Sequence, residues 1–244
     1  MIEILNTLEN ISLSEMDNVK LMNRIDTKYV MHISKLPLLL QAIAPYYRVL
    51  EIDNNRLMTY KNNYFDTADF KLYLAHHNGR VNRYKIRIRE YVESQTVFTE
   101  IKFKDNKGKT RKKRTLTQKH SQEENNLFVK KHSPYYLSEL ENKLDIKFQR
   151  FTLVNKTKNE RATIDVNLNF KKDQHECTLR KTVIVEIKQE TYDSDSELIK
   201  ALKVLKVNEQ RISKYCIGTA LINESIKKNN FKQKMMTIHK LEKN

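Results

Sequence analysis

Alternation of polar and apolar residues recurs along the chain and predicts β-strands at 25–32, 58–65, 83–90, 96–104, 111–117, 150–155, 161–170 and 182–189. These stretches are rich in Val, Ile, Thr, Tyr and Phe, which suit extended backbone. Helices fill the intervals. Ser34 is placed to cap a helix over 35–44, and Asp66 to cap one over 68–77 with Gly79 as its stop. Ser133-Pro134 opens a third through Leu144, and Asp193 or Ser194 a fourth over 198–205; 211–226 and the basic tail 229–244 also read as helical. No repeat and no Ser/Gly/Pro-rich linker divides the chain. The expectation is one α+β domain, 1–244, built on an antiparallel sheet closed or folded over on itself, with a basic helical tail from about 223.

Successive strand side chains point to opposite faces, so parity sorts them. Lys85, Arg87 and Arg89 fall opposite Tyr84, Ile86 and Ile88, and Glu100, Lys102 and Lys104 opposite Thr99, Ile101 and Phe103. Arg161, Thr163 and Asp165 oppose Ala162, Ile164 and Val166; Glu186 and Lys188 oppose Val185 and Ile187; Arg24, Asp26 and Lys28 oppose Ile25, Thr27 and Tyr29. In Arg111-Lys-Lys-Arg114 parity does not choose the face. One such strand is an ordinary half-solvated strand. Five strands adding cations to one face repel one another unless a multivalent anion lies among them. Tyr29, Phe65, Tyr84 and Phe103 fall on the apolar parity, so the cationic face reads as poor in stacking surface and suits a phosphate chain better than bases.

Composition sharpens this. The 244 residues include 46 Lys+Arg against 30 Asp+Glu, a net charge of +16. A soluble protein so basic suits a polyanion. The three glycines are isolated, which excludes a P-loop or dinucleotide fingerprint. The longest apolar stretch, 36–44, is broken by Pro37 and Gln41 and falls short of the ~20 residues that cross a bilayer. No signal peptide is expected at Met1. Two cysteines, Cys177 and Cys216, are too few for a disulfide scaffold or zinc knuckle and imply buried or half-buried thiols in a reducing cytoplasm. His76 and His77 read as helix-surface residues, and Asp26 and Asp165 as buried charge partners.

Ordered segments along residues 20–220 resemble a known family. They are Arg24-Ile-Asp-Thr-Lys-Tyr29, Tyr64-Phe-Asp-Thr67, Lys85-Ile-Arg-Ile-Arg89, Glu100-Ile-Lys102, Lys112-Lys-Arg114, Phe148-Gln-Arg150, Glu160-Arg-Ala-Thr-Ile-Asp165, Val185-Glu-Ile-Lys188 and Ser213-Lys-Tyr215. Together they resemble the VTC (vacuolar transporter chaperone) domain, the polyphosphate polymerase branch of the triphosphate tunnel metalloenzymes. The resemblance implies a closed antiparallel barrel of about eight strands with helices outside. It implies a lumen that binds triphosphate or polyphosphate through Lys28, Arg87, Arg89, Lys102, Lys112, Arg150, Arg161, Lys188 and Lys214. It implies Mn²⁺ or Mg²⁺ on Glu186, with Arg87, Arg89, Lys102 and Glu186 catalytic in transferring the ATP γ-phosphoryl group to polyphosphate. Glu100 is a weaker candidate for supporting the metal or pairing with lysines, and Lys113 is the alternative to Lys112.

The hydrolase branch carries Glu-x-Glu-x-Lys where this chain has Arg24-Ile-Asp-Thr-Lys28, which turns the expectation from hydrolysis towards transfer. Tripolyphosphatase or nucleoside triphosphatase activity, or non-catalytic polyphosphate binding, are the rival functions. Nucleic acid is not expected as a partner. Coupling of synthesis to translocation requires a separate membrane-protein partner.

Overall fold

The computed structural model describes residues 2–17, 24–117 and 121–243; Met1 and Asn244, the ends of the expected domain, lie outside them. The principal path of the sheet runs through eight strands. In spatial order they are β2 (Ile25–His32), β11 (Thr182–Gln189), β9 (Glu160–Lys172), β8 (Glu141–Asn155), β4 (Met58–Asp66), β5 (Arg83–Tyr91), β6 (Thr96–Lys104) and β7 (Thr110–Leu116). Each neighbouring pair along this path is antiparallel. Short strands β1 (Asn10–Ile11) and β3 (Tyr47–Leu50) pair in parallel with each other, with β3 on β8, and β10 (His175–Leu179) pairs with β9.

The expected closed barrel is corrected to a tunnel-like sheet whose edge strands, β2 and β7, do not pair among the described residues. Instead the stretch after α6 (Glu197–Val204) runs along β2, with a bridge from Glu209 to Tyr29 and the Gln210 N–H donating to the Lys28 carbonyl at 2.7 Å. A single bridge in place of a ladder leaves this seam irregular.

Helices cover the outer face. Leu36, Leu39, Leu40 and Ile43 of α3 (Leu36–Ile43) and Leu198, Ile199 and Leu202 of α6 pack on Ile164, Val166, Val183, Val185 and Ile187. On the concave side, α7 (Lys214–Ile222) fills one end of the tunnel against Ile146, Phe148, Phe170 and Ile184, with α4 (Lys71–His77) and α8 (Lys232–Lys243) behind it. A β-bulge makes this possible. Asn167 has a φ of +53° and the β8–β9 register shifts there, so the concave face carries Asp165 before it and Leu168 and Phe170 after it.

Several sequence expectations are displaced. The predicted helix from Ser133 to Leu144 is instead a short 3₁₀ turn, Leu137–Glu139, followed by the start of β8, which pairs with β4 from Glu141 onward. The helix of this region is α5 (Gln122–His132), whose Ser121 and Glu124 form a capping box that the sequence displays. Helix α4 begins at Lys71 because Phe70 is left-handed (φ +59°), although Asp66 does accept the Leu72 and Tyr73 N–H groups at 2.8 Å. Ser196, rather than Asp193 or Ser194, caps α6, and Ser34 donates its N–H to His32 rather than capping α3. His77 is buried against Tyr73 and Phe231 and is no surface residue, and His76 is half-buried, its pKa depressed to about 2 by burial and by the charges of Lys85 and Arg83. The tail is docked: Ile238 is buried and Glu242 accepts from the Arg180 and Lys181 N–H groups.

Gly218 is where α7 approaches the sheet. A Cβ there would lie 2.9 Å from Leu144 Cδ2 and closer still to the buried ring of Phe170. Gly218→Val should therefore destabilise the fold by about 1–3 kcal/mol through overpacking. Reversible denaturant melts of the two proteins measure this, and an unchanged midpoint contradicts the packing described.

Candidate functional site

The strands deliver their inward positions to a cavity of about 260 Å³, lined by ten Arg and Lys side chains and two carboxylates, Glu100 and Glu186. Register sets the juxtapositions. Lys85, Lys102 and Lys112 stand directly opposite one another on β5, β6 and β7, and Lys188 stands opposite Arg161. Like charges placed opposite each other destabilise a sheet, so each cluster needs counter-charge.

Three carboxylates supply it, Glu100 and Asp165 buried and Glu186 partly buried. Glu100, fully buried, accepts from Arg87 Nε at 2.7 Å and Nη2 at 2.5 Å, pairs with Lys112, and lies 4.0 Å from Arg89. Burial alone would raise its pKa, but Arg87, Arg89 and Lys112 hold it far below the carboxylate range. Asp165 accepts from Arg150 Nε at 2.5 Å and Nη2 at 2.8 Å and pairs with Lys214; against the effect of burial these cations bring it down to about 2. Among the described residues Glu186 meets only Lys28, at 3.6 Å. Burial opposes its ionisation, but Lys28, Lys188, Arg150 and Lys102 lower its pKa well below the usual value.

The remaining contacts set the positions of the cations. Arg87 Nη1 donates to Tyr64 Oη at 2.8 Å and Arg89 Nε to Asn62 Oδ1 at 2.7 Å. Lys28 reaches the Ile212 carbonyl at 3.3 Å and Lys85 reaches Ser213 Oγ at 3.0 Å, so the stretch before α7 roofs the cavity. Lys102 and Lys188 take no hydrogen bond or ion pair within 4.0 Å among the described residues. Burial, reinforced by Arg87, lowers Lys102 well below its ordinary pKa. Burial also lowers Lys112 and Lys188, to about 8, although Glu100 and Glu186 oppose the shift.

Of the nine cations named from the sequence, Lys28, Arg87, Arg89, Lys102, Lys112, Arg150, Lys188 and Lys214 line the cavity. Arg161 is not part of that lining; it stands on the same face one pair further along β9, opposite Lys188. Lys112 faces the cavity, and Lys113 the outer face. Glu100 pairs with Arg87 and Lys112, the second of its expected roles. Asp165 is a buried partner, whereas Asp26 is an exposed one, paired with Arg24 at 3.0 Å. Lys85 and Arg24 also line the cavity, as their parity with Arg87 and Lys28 allowed. Asn62 and Tyr64 were missed, because their parity in β4 carries no cation to reveal the inward face.

The cationic face is not poor in rings, as expected from four aromatics on other strands. Tyr64 and Phe148 line the cavity, with Arg87 5.6 Å from the centre of the Tyr64 ring and Arg150 5.3 Å from that of Phe148. Both of these rings are buried beneath the guanidiniums, at 7% and 2% exposure, and brace them, whereas the third lining ring, Tyr91, is half-buried with Arg89 6.0 Å from its centre.

The chemistry of Glu186 fits a divalent cation in one way only. No group of three or more His, Cys, Asp or Glu able to hold a metal exists among the described residues. A lone, fully ionised carboxylate suits a hard cation that keeps water and phosphate oxygens as its other ligands, as Mg²⁺ does, and not a resident all-protein site.

The model of the VTC domain matches residues 23–223. The chain belongs to the VTC domain family. No curated protein sequence matches this VTC domain chain. Solved structures similar to it include a candidate adenylate cyclase from Vibrio parahaemolyticus, with 10% identity, 79% of this chain and 95% of that chain covered, and a TM-score of 0.48. The PH1819 protein of Pyrococcus horikoshii matches at 12% identity, with 78% and 91% covered and a TM-score of 0.44. A candidate adenylyl cyclase from Hippeastrum with a dominant triphosphatase activity matches at 14% identity, with 80% and 95% covered and a TM-score of 0.46.

Glu100 links three cations in the VTC tunnel, so Glu100→Gln leaves Arg87, Arg89 and Lys112 facing one another with no buried counter-charge. The expected cost is about 3–5 kcal/mol, read from denaturant unfolding. A loss below about 1 kcal/mol would mean that water already screens this cluster.

Proposed function

We propose that this VTC domain protein is a metal-dependent polyphosphate polymerase that transfers the γ-phosphoryl group of ATP to the end of a growing inorganic polyphosphate chain inside the tunnel. One observation carries the reading: ten cations and two carboxylates line one cavity, and one carboxylate is already consumed by its neighbours. Such a lumen matches a chain of phosphates and supplies little else. The proposal treats residues 1–244 as one tunnel unit, including the basic C-terminal segment from about 223.

Phosphoryl transfer needs alignment and charge neutralisation rather than a protein nucleophile. Arg87, Arg89 and Arg150 are held by Glu100, Asn62 and Asp165, so their free N–H groups are fixed in direction and suited to bidentate grip on non-bridging oxygens. Lys28, Lys102, Lys188 and Lys214 act as compact charges beside them. Arg161 meets the chain outside the cavity. An oxygen of the acceptor's terminal phosphate forms the new bond to the γ-phosphorus while the bond from the β,γ-bridging oxygen to that phosphorus breaks, and ADP leaves with the electron pair. Lys102, which has no hydrogen-bond or ion-pair partner among the described residues, faces the charge that develops on the transferred group. Glu186 would hold the Mn²⁺ or Mg²⁺, which when bound neutralises phosphate charge as a Lewis acid.

Transfer is favoured over hydrolysis because the position that offers carboxylates in the hydrolase branch holds Asp26, which is exposed and tied to Arg24. The protein is placed in the cytoplasm, in keeping with its two free thiols, Cys177 and Cys216. No helix among the described residues is long and apolar enough to cross a membrane; a separate membrane-protein partner is part of the proposal.

Incubation of the purified protein with ATP and Mn²⁺ should give long polyphosphate on a gel. Orthophosphate alone would show a hydrolase, and no turnover with several metals would show a binding protein. Glu186→Gln should fold normally by circular dichroism and lose at least about a hundredfold in turnover; polymerisation at the wild-type rate removes Glu186 from the metal site.

Affinity for tripolyphosphate should also depend on pH in a fixed direction. Burial holds Lys112 and Lys188 near 8 in the free tunnel, and a bound anion favours their charged forms. Both are largely protonated at pH 7, so binding is strongest there and weakens as the pH rises through 8 to 9.5. Calorimetry at pH 8.5 in buffers of different ionisation heat should register net proton uptake. A constant Kd with no uptake contradicts the assignment.

A further inference from the structure

A second cavity, of about 370 Å³, lies on the outer face of the sheet between β5–β7 and the C-terminal end of α5. Its floor includes the rings of Tyr84 and Phe103, whose centroids are 4.6 Å apart and whose planes are tilted by 32°. Its rim is formed by Arg111, Lys113, Lys131 and His132, and no carboxylate lines it. Asp105 meets Arg111 at 3.8 Å from outside the cavity, whereas Lys113 and Lys131 take no hydrogen bond or ion pair among the described residues. Burial and these two lysines together depress the His132 imidazole, which shows how closely the positive charges converge.

Lysines on an exposed edge strand such as β7 are an ordinary guard against strand-to-strand aggregation. That role accounts for the charges but not for a two-ring platform left half-exposed beneath them. The contrast with the tunnel is informative. There two of the three lining rings, Tyr64 and Phe148, are buried under guanidiniums and Tyr91 is half-buried, whereas here both rings and the cations face the same space.

We propose that this outer groove binds a purine nucleoside polyphosphate, with the base on Tyr84 and Phe103 and the phosphates on Arg111, Lys113 and Lys131. Two adjacent rings match the length of a fused bicyclic base, and every base has a π-face that can stack there. The volume falls within the range of small-molecule sites. The site lies outside the tunnel and does not depend on the tunnel being a polymerase.

The test is photolabelling of the full-length protein with 2-azido-ADP, followed by peptide mapping, with and without stoichiometric tripolyphosphate to occupy the tunnel. Label is expected on the outward residues Tyr84 and Phe103 themselves, resolved from their tunnel-facing neighbours Lys85 and Lys102 by fragmentation of the labelled peptides, and it should persist when tripolyphosphate is present. The double variant Lys113→Glu/Lys131→Glu, altered only at exposed side chains, should lose at least tenfold of this label while keeping its circular dichroism spectrum. Phe103→Leu should reduce it severalfold. Groove label that survives the charge reversal, or label confined to tunnel-facing residues, overturns the proposal. Displacement of ADP by oligoadenylate RNA at hundredfold lower concentration also overturns it, in favour of a single-stranded RNA site. Groove label with none in the tunnel leaves the proposal standing and counts against ATP as the tunnel substrate.

Discussion

Mutual repulsion among the inward cations is the constraint on which the rest of the structure depends. Lys85, Lys102 and Lys112 form a row across three strands, with Arg87 and Arg89 on the next inward positions of β5. Buried charges at these spacings interact far more strongly than surface charges. The fold answers with two buried carboxylates, so that Glu100 binds β5 to β7 and Asp165 binds β8 to the first residue of α7, and with the partly buried Glu186 beside Lys28. These pairs do not neutralise the cavity. They hold its arginines in direction and leave Lys102 and Lys188 without partners, a distribution that an anionic chain completes.

The concave face is divided along its length, and that division gives the tunnel its depth. Inward positions of one strand change from Ile184 to Glu186 and Lys188 on β11, and from Ile146 and Phe148 to Arg150 on β8. The apolar half is covered by α7, whose Gly218 allows the helix backbone to lie close to Phe170. The bulge at Asn167 turns β9 so that Leu168 and Phe170 join the apolar half while Asp165 stays with the charges. Covering one half removes water from the other, which is why lysines a short distance from solvent have depressed pKa values.

Much of the sheet was legible in the chain, because period-two alternation in β5, β6, β9 and β11 records which side meets the core. The same alternation located Lys85, Arg87, Arg89, Lys102, Glu186 and Lys188 on one face, since each has an apolar neighbour on at least one side to fix its orientation. It failed where both parities are charged, as in Arg111-Lys-Lys-Arg114, and where both carry polar or aromatic groups, as in β4. There the choice falls to the partner strand, and the pairing of Lys112 with Lys102 and Glu100 makes it. The first turns of β8 were read as helix because Ser133-Pro134 is a good helix start. Long-range pairing with β4 and β9 outweighed that local preference.

By itself, then, the sequence determined an α+β chain with an antiparallel sheet, one cationic face, and the residues that make it cationic. Only the tertiary structure decided that the sheet stays unpaired between β2 and β7 among the described residues, that Glu100 is consumed by Arg87 and Lys112 while Glu186 is left with Lys28 alone, and that Arg161 falls outside the cavity. The reason is physical. Orientation along a strand is a local property of alternating side chains, whereas counter-charge and enclosure depend on which distant strands and helices arrive at the same place.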